Sequence, residues 1–256
     1  MTRIINLLTL LAVNVIPAAG WFVEDWSAGT TLAVYWFENV AVCLFVSARI
    51  IAHRRWSPRR GHFRYQAPNS QRRSSQTSFV TGFLITSLVF SAAHGVFLGA
   101  ILFLLDHNGQ TDLAGVDWRS VGVGCLYMLV FLAIDFVVDL FGLRRWSFWQ
   151  LELLANRSLG RIVVVHLTLI FGMFAAAFTD FSALFGVFVV LKTLNALSMA
   201  LPQWEPATAP TWLSRAMNRL PNVRPGERFE DQWVKDRADE AERRDKNEQP
   251  WTGARR

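Results

Sequence analysis

The sequence predicts an all-α protein, a polytopic transmembrane helical bundle of about six spans with a polar C-terminal tail. Of its 256 residues, 52% are hydrophobic, and most of these precede residue 202. Several runs of about twenty residues carry almost no charge, and this is the length with which a helix crosses roughly 30 Å of hydrocarbon. Because the runs are continuous rather than alternating, they indicate helices and not the strands of a transmembrane barrel.

Six spans account for these runs. A tight turn at Asp180 separates the last two, so one re-entrant hairpin is the alternative there. Cys43 and Cys125 lie inside apolar runs, which is typical of small buried residues and not of a disulfide or a metal pair. The spans are predicted near residues 4–23, 31–51, 79–105, 119–141, 161–179 and 182–201.

The charges between the spans predict the orientation. Arginine-rich stretches stay in the cytoplasm, so both termini are expected there, in an inner or plasma membrane. The opposite connections carry acidic residues and a single basic one, Arg119. The stretch 49–78 contains eight arginines and no acidic residue: Arg49, Arg54, Arg55, Arg59, Arg60, Arg64, Arg72 and Arg73. The next cytoplasmic loop adds Arg144, Arg145, Arg157 and Arg161 against Glu152.

The partners that this charge pattern predicts are the lipid bilayer itself and anionic lipid headgroups at the arginine-rich loops. The net charge of +6 could also suggest nucleic acid, but no nucleic-acid-binding motif accompanies the arginines. We therefore expect no nucleic-acid partner.

The tail, residues 202–256, is predicted to be a separate cytoplasmic region. Five prolines between residues 202 and 225 disfavour continuation of the last helix. Within the tail, Trp212, Leu213, Ala216, Met217 and Leu220 recur at helical spacing, which predicts a short amphipathic helix on the inner leaflet. Residues 227–248 are charged with mixed sign, and we expect a solvated helix or disorder.

Ionisable and amide side chains interrupt the apolar runs. Such residues are costly in hydrocarbon, so they usually face the protein interior and often mark a site. Counting 1.5 Å per helical residue places most of them near the middle of the bilayer. The spans therefore predict a polar midplane cluster as the candidate site, formed by Glu38, Asn39, His94, Asp135, His166, Lys192 and Asn195.

Two interpretations of this cluster involve charge. Lys192 is expected to form a buried ion pair with Asp135 or Glu38, because an uncompensated cation at this depth would lose its proton. Asp139 shares a helix face with Asp135 and is expected to meet water at the membrane boundary. In the second interpretation, a divalent metal is bound by ligands drawn from His94, His166, Asp135 and Glu38.

The histidines leave alternatives open. The sequence contains no HExxH or CxxC motif, so hydrogen bonding between helices or a proton relay are alternatives to metal binding. Ser91, Gly95 and Gly99 recur every four residues, a small-residue stripe that lets another helix approach closely. His94 lies beside this stripe and is expected to face protein.

Three sequence segments resemble a known family. They are YWFEN at residues 35–39, HGVF at 94–97, and GRIVVVHLTLI at 160–170 followed by VVLKTLNA. Together, over about residues 5–200, they resemble an uncharacterised prokaryotic family of multi-pass integral membrane proteins with a YWxEN motif in the second span. The resemblance implies an inner-membrane location and the same polar positions, but no activity.

Three functions therefore remain open. Transport of an ion, a proton or a small polar solute predicts a water-filled path to the cluster. A membrane-embedded, metal-dependent enzyme that uses His94, His166 and carboxylates predicts side chains that converge on one point. A binding or structural protein predicts polar groups that are paired between helices, with no cavity.

Overall fold

The computed structural model of the protein shows an α-helical chain. The described residues contain eight named helices, no named strand and one isolated bridge, between Arg59 and Pro250. The predicted all-α class is confirmed. The chain divides into two compact units, residues 1–57 with 80–201 and residues 58–79 with 202–256. The structure describes residues 19–20, 23–68, 78–176, 206–219 and 226–253, with side chains of the helix that ends at 176 described to residue 163.

Long helices dominate the first unit. Within the described residues, three are long and apolar enough to cross a membrane: Ala28–Trp56, Phe79–His107 and Thr111–Leu143. They contain the second, third and fourth predicted spans. The first and sixth predicted spans, 4–23 and 182–201, fall almost wholly outside the described residues. The helices are α1 (Ala28–Trp56), α3 (Phe79–His107), α4 (Thr111–Ala114), α5 (Trp118–Leu143) and α6 (Phe148–Ala176).

The predicted fifth span overlaps a longer helix as far as Ala176. The span was expected near 161–179, but α6 begins at Phe148. Arg157 and Arg161 therefore lie inside a helix and not in the cytoplasmic loop to which the charge count assigned them.

Helix α1 lies at the centre of this unit. More than half of its apolar stretch is buried, 56% against 28% for α3. On one side, Leu32 and Tyr35 form a core with Leu98 of α3. On another side, a second core joins α1 to α5, and its buried members are Trp26, Val34, Ala41, Met128 and Leu132.

The contacts give the directions of the helices around α1. The rings of Phe45 and Phe136 lie 5.7 Å apart, and later residues of α1 contact later residues of α5, so these two helices are parallel. His53 contacts Trp146 just before α6 begins, whereas Glu38 contacts Arg161 further along, so α1 and α6 are antiparallel.

The start of α1 is fixed by local hydrogen bonds. Ser27 is the N-cap, and its hydroxyl oxygen accepts from the backbone nitrogen of Thr30 at 3.0 Å. The Thr30 hydroxyl in turn accepts from the backbone nitrogen of Asp117 at 2.9 Å. A Cβ at Gly29 would meet the carbonyl oxygen of Ala114 at 2.7 Å, so only glycine permits this approach of α4.

The second unit combines the tail with part of the arginine-rich loop. It contains α2 (Arg60–Phe63), α7 (Thr211–Met217) and α8 (Phe229–Glu248). The predicted amphipathic segment and the charged segment of the tail both contain helices. This unit comprises residues 202–256 together with residues 58–79 of the loop.

Side chains of α8 hold this loop. Arg243 and Asn247 both donate to the carbonyl oxygen of Gln66, at 2.8 and 3.0 Å. The Gln66 nitrogen donates back to Asn247 Oδ1 at 3.1 Å, and Phe63 stacks on Trp251 with ring centres 4.7 Å apart. Three of the loop arginines thus have contacts with the end of α8 or the residues after it: Arg59 with Glu248, Arg60 with Gln249 and Arg64 with Trp251.

Candidate functional site

Helix α1 carries most of the polar groups that are buried in the first unit. Thr31, Glu38 and Arg49 are seven and eleven residues apart, so they lie on the same side of a helix with 3.6 residues per turn. Polar side chains inside a membrane bundle must find partners on neighbouring helices. The buried polar residues of α1 are Thr30, Thr31, Glu38, Asn39, Ser47, Arg49 and His53.

The first buried ion pair joins α1 to α6. Glu38 is fully buried, and its Oε1 atom accepts a hydrogen bond from the Arg161 Nη2 atom. Glu38 lies ten residues after Ala28, about 15 Å along α1. Removing one member of such a pair leaves the other charge buried without compensation, which typically costs about 3–5 kcal/mol.

The second group of paired charges is a triad, in which Arg49 of α1 contacts Asp135 and Asp139 of α5. The Arg49 Nη2 atom lies 2.6 Å from Asp135 Oδ2, and its Nε atom lies 2.8 Å from Asp139 Oδ2. The two carboxylates are four residues apart and share a face of α5, so one guanidinium reaches both. The guanidinium also lies over Phe136, 5.3 Å from the ring centre.

Asp139 differs from its expected environment. The sequence predicted that it would meet water at the membrane boundary, but it is buried against Arg49. The reason is that α1 continues to Trp56, so Arg49 lies inside the helix and not in a loop.

The Glu38–Arg161 pair and the Arg49 triad lie at different positions along the axis of α1. Glu38 and Arg49 are eleven residues apart on α1, a rise of about 16 Å. Because Asp135 is held by Arg49, Glu38 and Asp135 cannot bind the same metal ion, whose ligands lie within about 2.0–2.6 Å of it. Among the described residues, no group of three His, Cys, Asp or Glu side chains could hold a metal.

The other predicted site residues divide into two sets. Asn39 and His94 are both buried, on α1 and α3. The side chain of His166, together with Lys192 and Asn195, lies outside the described residues, so the predicted pairing of Lys192 stays a prediction. Glu38 and Asp135, the two carboxylates proposed for that pairing, contact Arg161 and Arg49.

The small-residue stripe of α3 meets α1 at two of its three positions. The Trp36 Nε1 atom donates to the carbonyl oxygen of Ser91 at 2.8 Å. A Cβ at Gly95 would meet the same Nε1 atom at 2.8 Å, so the indole occupies the space that glycine leaves. At Gly99 nothing lies within 4 Å of such a Cβ.

Three helices meet at a small polar cluster formed by Cys43, Ser87 and Ser158. The buried Cys43 of α1 lies beside Ser87 of α3 and Ser158 of α6. The thiol therefore serves as a small buried residue, as the sequence predicted.

An open acidic recess lies where α1 begins. Its volume is about 470 Å³. It is bounded by the start of α1 and by the α4–α5 connection, and neither Glu38 nor His94 lines it. Its acidic lining residues are Glu24, Asp25, Asp112 and Asp117.

Sequence reasoning missed Arg49 and Arg161 as site residues because it counted them among the loop charges. The signal was available in part. Asp135 and Asp139, four apart on one helix face, require a cation at the same depth, and Arg49 lies near the end of the second predicted span, at a similar depth.

Residues 1–211 match a family described as a family of unknown function, DUF6498. The chain belongs to this family. The resemblance to an uncharacterised family is thereby confirmed, and the match spans the first unit and the start of the tail. No curated protein and no solved structure matches the chain.

Proposed function

We propose that this member of the family is a non-catalytic membrane anchor. Its helical unit crosses the membrane about six times, and both termini lie in the cytoplasm. It holds the unit formed by the loop and the tail at the inner face of a plasma membrane. The positive-inside distribution of arginine supports this orientation. The function is structural, in that the helical unit tethers the cytoplasmic unit to the membrane for assembly.

One observation carries this proposal. The carboxylates Glu38, Asp135 and Asp139 each pair with an arginine from another helix. Groups that transport or activate a substrate must be free to exchange partners, whereas charge pairs satisfied within the protein fix the register of the helices. The open recess lies about 12 Å along α1 from Glu38, measured from Thr30.

A flux measurement tests the anchor. The full chain is reconstituted in liposomes under a potential and a pH gradient, and ion and proton entry are followed with fluorescent dyes. If the protein is an anchor, ions and protons should enter liposomes that contain the natural chain or Glu38→Gln no faster than they enter protein-free liposomes. Flux above that leak, abolished by Glu38→Gln in a protein that still folds, overturns it.

A second candidate function is passage of a cation or a proton. The acidic recess favours it, because acidic residues at the mouth of a path concentrate cations. Thr30 lines the recess, and Thr31 and Glu38, which follow it along α1, are buried. In the same liposomes, this function predicts cation flux that falls in Asp112→Asn and Asp117→Asn and is unchanged in Arg119→Gln.

A further inference from the structure

Three arginines and one tryptophan cluster at the end of the helical unit that is opposite the acidic recess. We call Arg55, Trp56, Arg144 and Arg145 the arginine platform. The three arginines are exposed, and Trp56 is 42% exposed. They come from two places in the chain, the end of α1 and the connection between α5 and α6.

Packing brings these two places together. His53 Nε2 lies 3.0 Å from the carbonyl oxygen of Trp146, which joins the last turn of α1 to the α5–α6 connection. On either side of that connection, Leu143 and Phe148 are buried in the unit. The Arg144 guanidinium lies 5.2 Å from the ring of Trp56, so arginine and indole form one continuous surface.

The platform has an uncompensated positive charge. Among the described residues, no carboxylate pairs with Arg55, Arg144 or Arg145. Asp139 and Glu152, the acidic residues that flank the connection along the chain, are both buried. In contrast, the arginines deeper in the bundle, Arg49 and Arg161, both contact carboxylates.

We propose that the arginine platform binds the phosphate of an anionic phospholipid headgroup. Guanidinium groups recognise phosphate through paired hydrogen bonds, and exposed tryptophan prefers the headgroup level of a bilayer. The platform lies at the ends of two apolar helices, where the hydrocarbon of a membrane would give way to headgroups. Clusters of arginine beside spanning helices attract anionic lipids by about 1 kcal/mol for each residue. The proposal requires only that the helices span a membrane, and it holds whether the protein is an anchor or a channel.

Lipid binding to the full chain in detergent tests this site. Native mass spectrometry measures the affinity for phosphatidylglycerol and, separately, for phosphatidylcholine. We expect tighter binding of phosphatidylglycerol, and the triple variant Arg55→Gln, Arg144→Gln, Arg145→Gln should weaken it about a hundredfold. The control removes an exposed arginine at the opposite end of the same unit, Arg119→Gln, and should leave it unchanged.

Four outcomes overturn the proposal: equal affinity for the two lipids, no loss in the triple variant, loss in the control instead, or full competition by millimolar inorganic phosphate. The last would assign the site to a free anion. If the triple variant does not fold, the single variants Arg55→Gln and Arg145→Gln test the proposal. Each should lower the affinity for phosphatidylglycerol about fivefold. Unchanged affinity in both single variants also overturns it.

Discussion

The indole nitrogen of Trp36 donates to the backbone carbonyl oxygen of Ser91, and this bond of 2.8 Å fixes α1 against α3. The indole can reach that carbonyl because residue 95, one turn later on α3, is glycine. Trp36 is the second residue of the segment YWFEN, so the bond gives this residue a structural role between two helices.

Substitution of Gly95 should therefore disturb the contact between α1 and α3. In Gly95→Ala the new methyl group would meet Trp36 Nε1 at 2.8 Å, and the resulting overpacking should destabilise the protein by about 1–3 kcal/mol. Gly99→Ala is the matched control, since nothing lies within 4 Å of its Cβ. Thermal unfolding in detergent measures both variants, and equal midpoints would show that the close approach at Gly95 is absent.

The triad of Arg49, Asp135 and Asp139 predicts an order among its variants. Arg49→Ala should cost about 3–5 kcal/mol, because it leaves the buried Asp139 and the partly buried Asp135 without their cation. Asp139→Asn should cost more than Asp135→Asn, since the Asp139 side chain is 6% exposed and that of Asp135 is 26% exposed. Arg49→Lys should not restore stability, because an ammonium lacks the planar fork that reaches both carboxylates. Denaturant unfolding of the four variants tests the order, and full stability of Arg49→Lys would argue against the bridging geometry.

The loop and tail unit should loosen at acidic pH. The hydrogen bond from Arg243 lowers the pKa of Glu240 below its ordinary value of 4.5, and a second bond from Arg244 acts in the same direction. A lowered folded-state pKa gives stability that is present above the unfolded value and is lost as the pH falls through the lowered one. Arg243 also holds the carbonyl oxygen of Gln66, so protonation of Glu240 should weaken the contact between α8 and the loop.

Hydrogen exchange at Gln66 measures this effect. Its backbone N–H donates to Asn247, and its protection factor should fall as the pH drops below 4.5. Glu240→Gln should show reduced protection already at neutral pH and a smaller change with acid. The exposed Glu242, whose pKa is lowered by the bond from Lys246, gives the control variant Glu242→Gln. If the protection factor of Gln66 changed with pH in the same way in the natural chain and in both variants, Glu240 would not be the cause of the pH dependence.

Much of the helical architecture could be predicted from the sequence, because a bilayer allows few backbone structures. The apolar runs of α1, α3 and α5 were found to within a few residues at most ends. The start of α6 was missed, since Arg157 and Arg161 raise its polarity, and hydropathy alone cannot distinguish an arginine paired inside a bundle from one in a loop.

The burial of three candidate residues could be predicted from the sequence, but the arginine partners of the carboxylates could not. Glu38, Asn39 and His94 are buried, as their positions in apolar runs suggested. Which cation meets which carboxylate depends on helix rotation and register, and these are set by packing such as that of Trp36 on Gly95. The contact of the arginine-rich loop with the tail joins residues more than 170 positions apart, such as Gln66 and Arg243. A local sequence pattern cannot predict a contact between residues so far apart in the chain.

The central claim is that Glu38 and Arg161 stabilise each other across two helices. A double-mutant cycle with Glu38→Gln, Arg161→Gln and the double variant, measured by reversible unfolding in detergent, tests it most directly. We predict a coupling energy of about 2 kcal/mol or more, with each single variant strongly destabilised and the double variant close to the milder single one. Additive effects, with a coupling energy near zero, would contradict the claim.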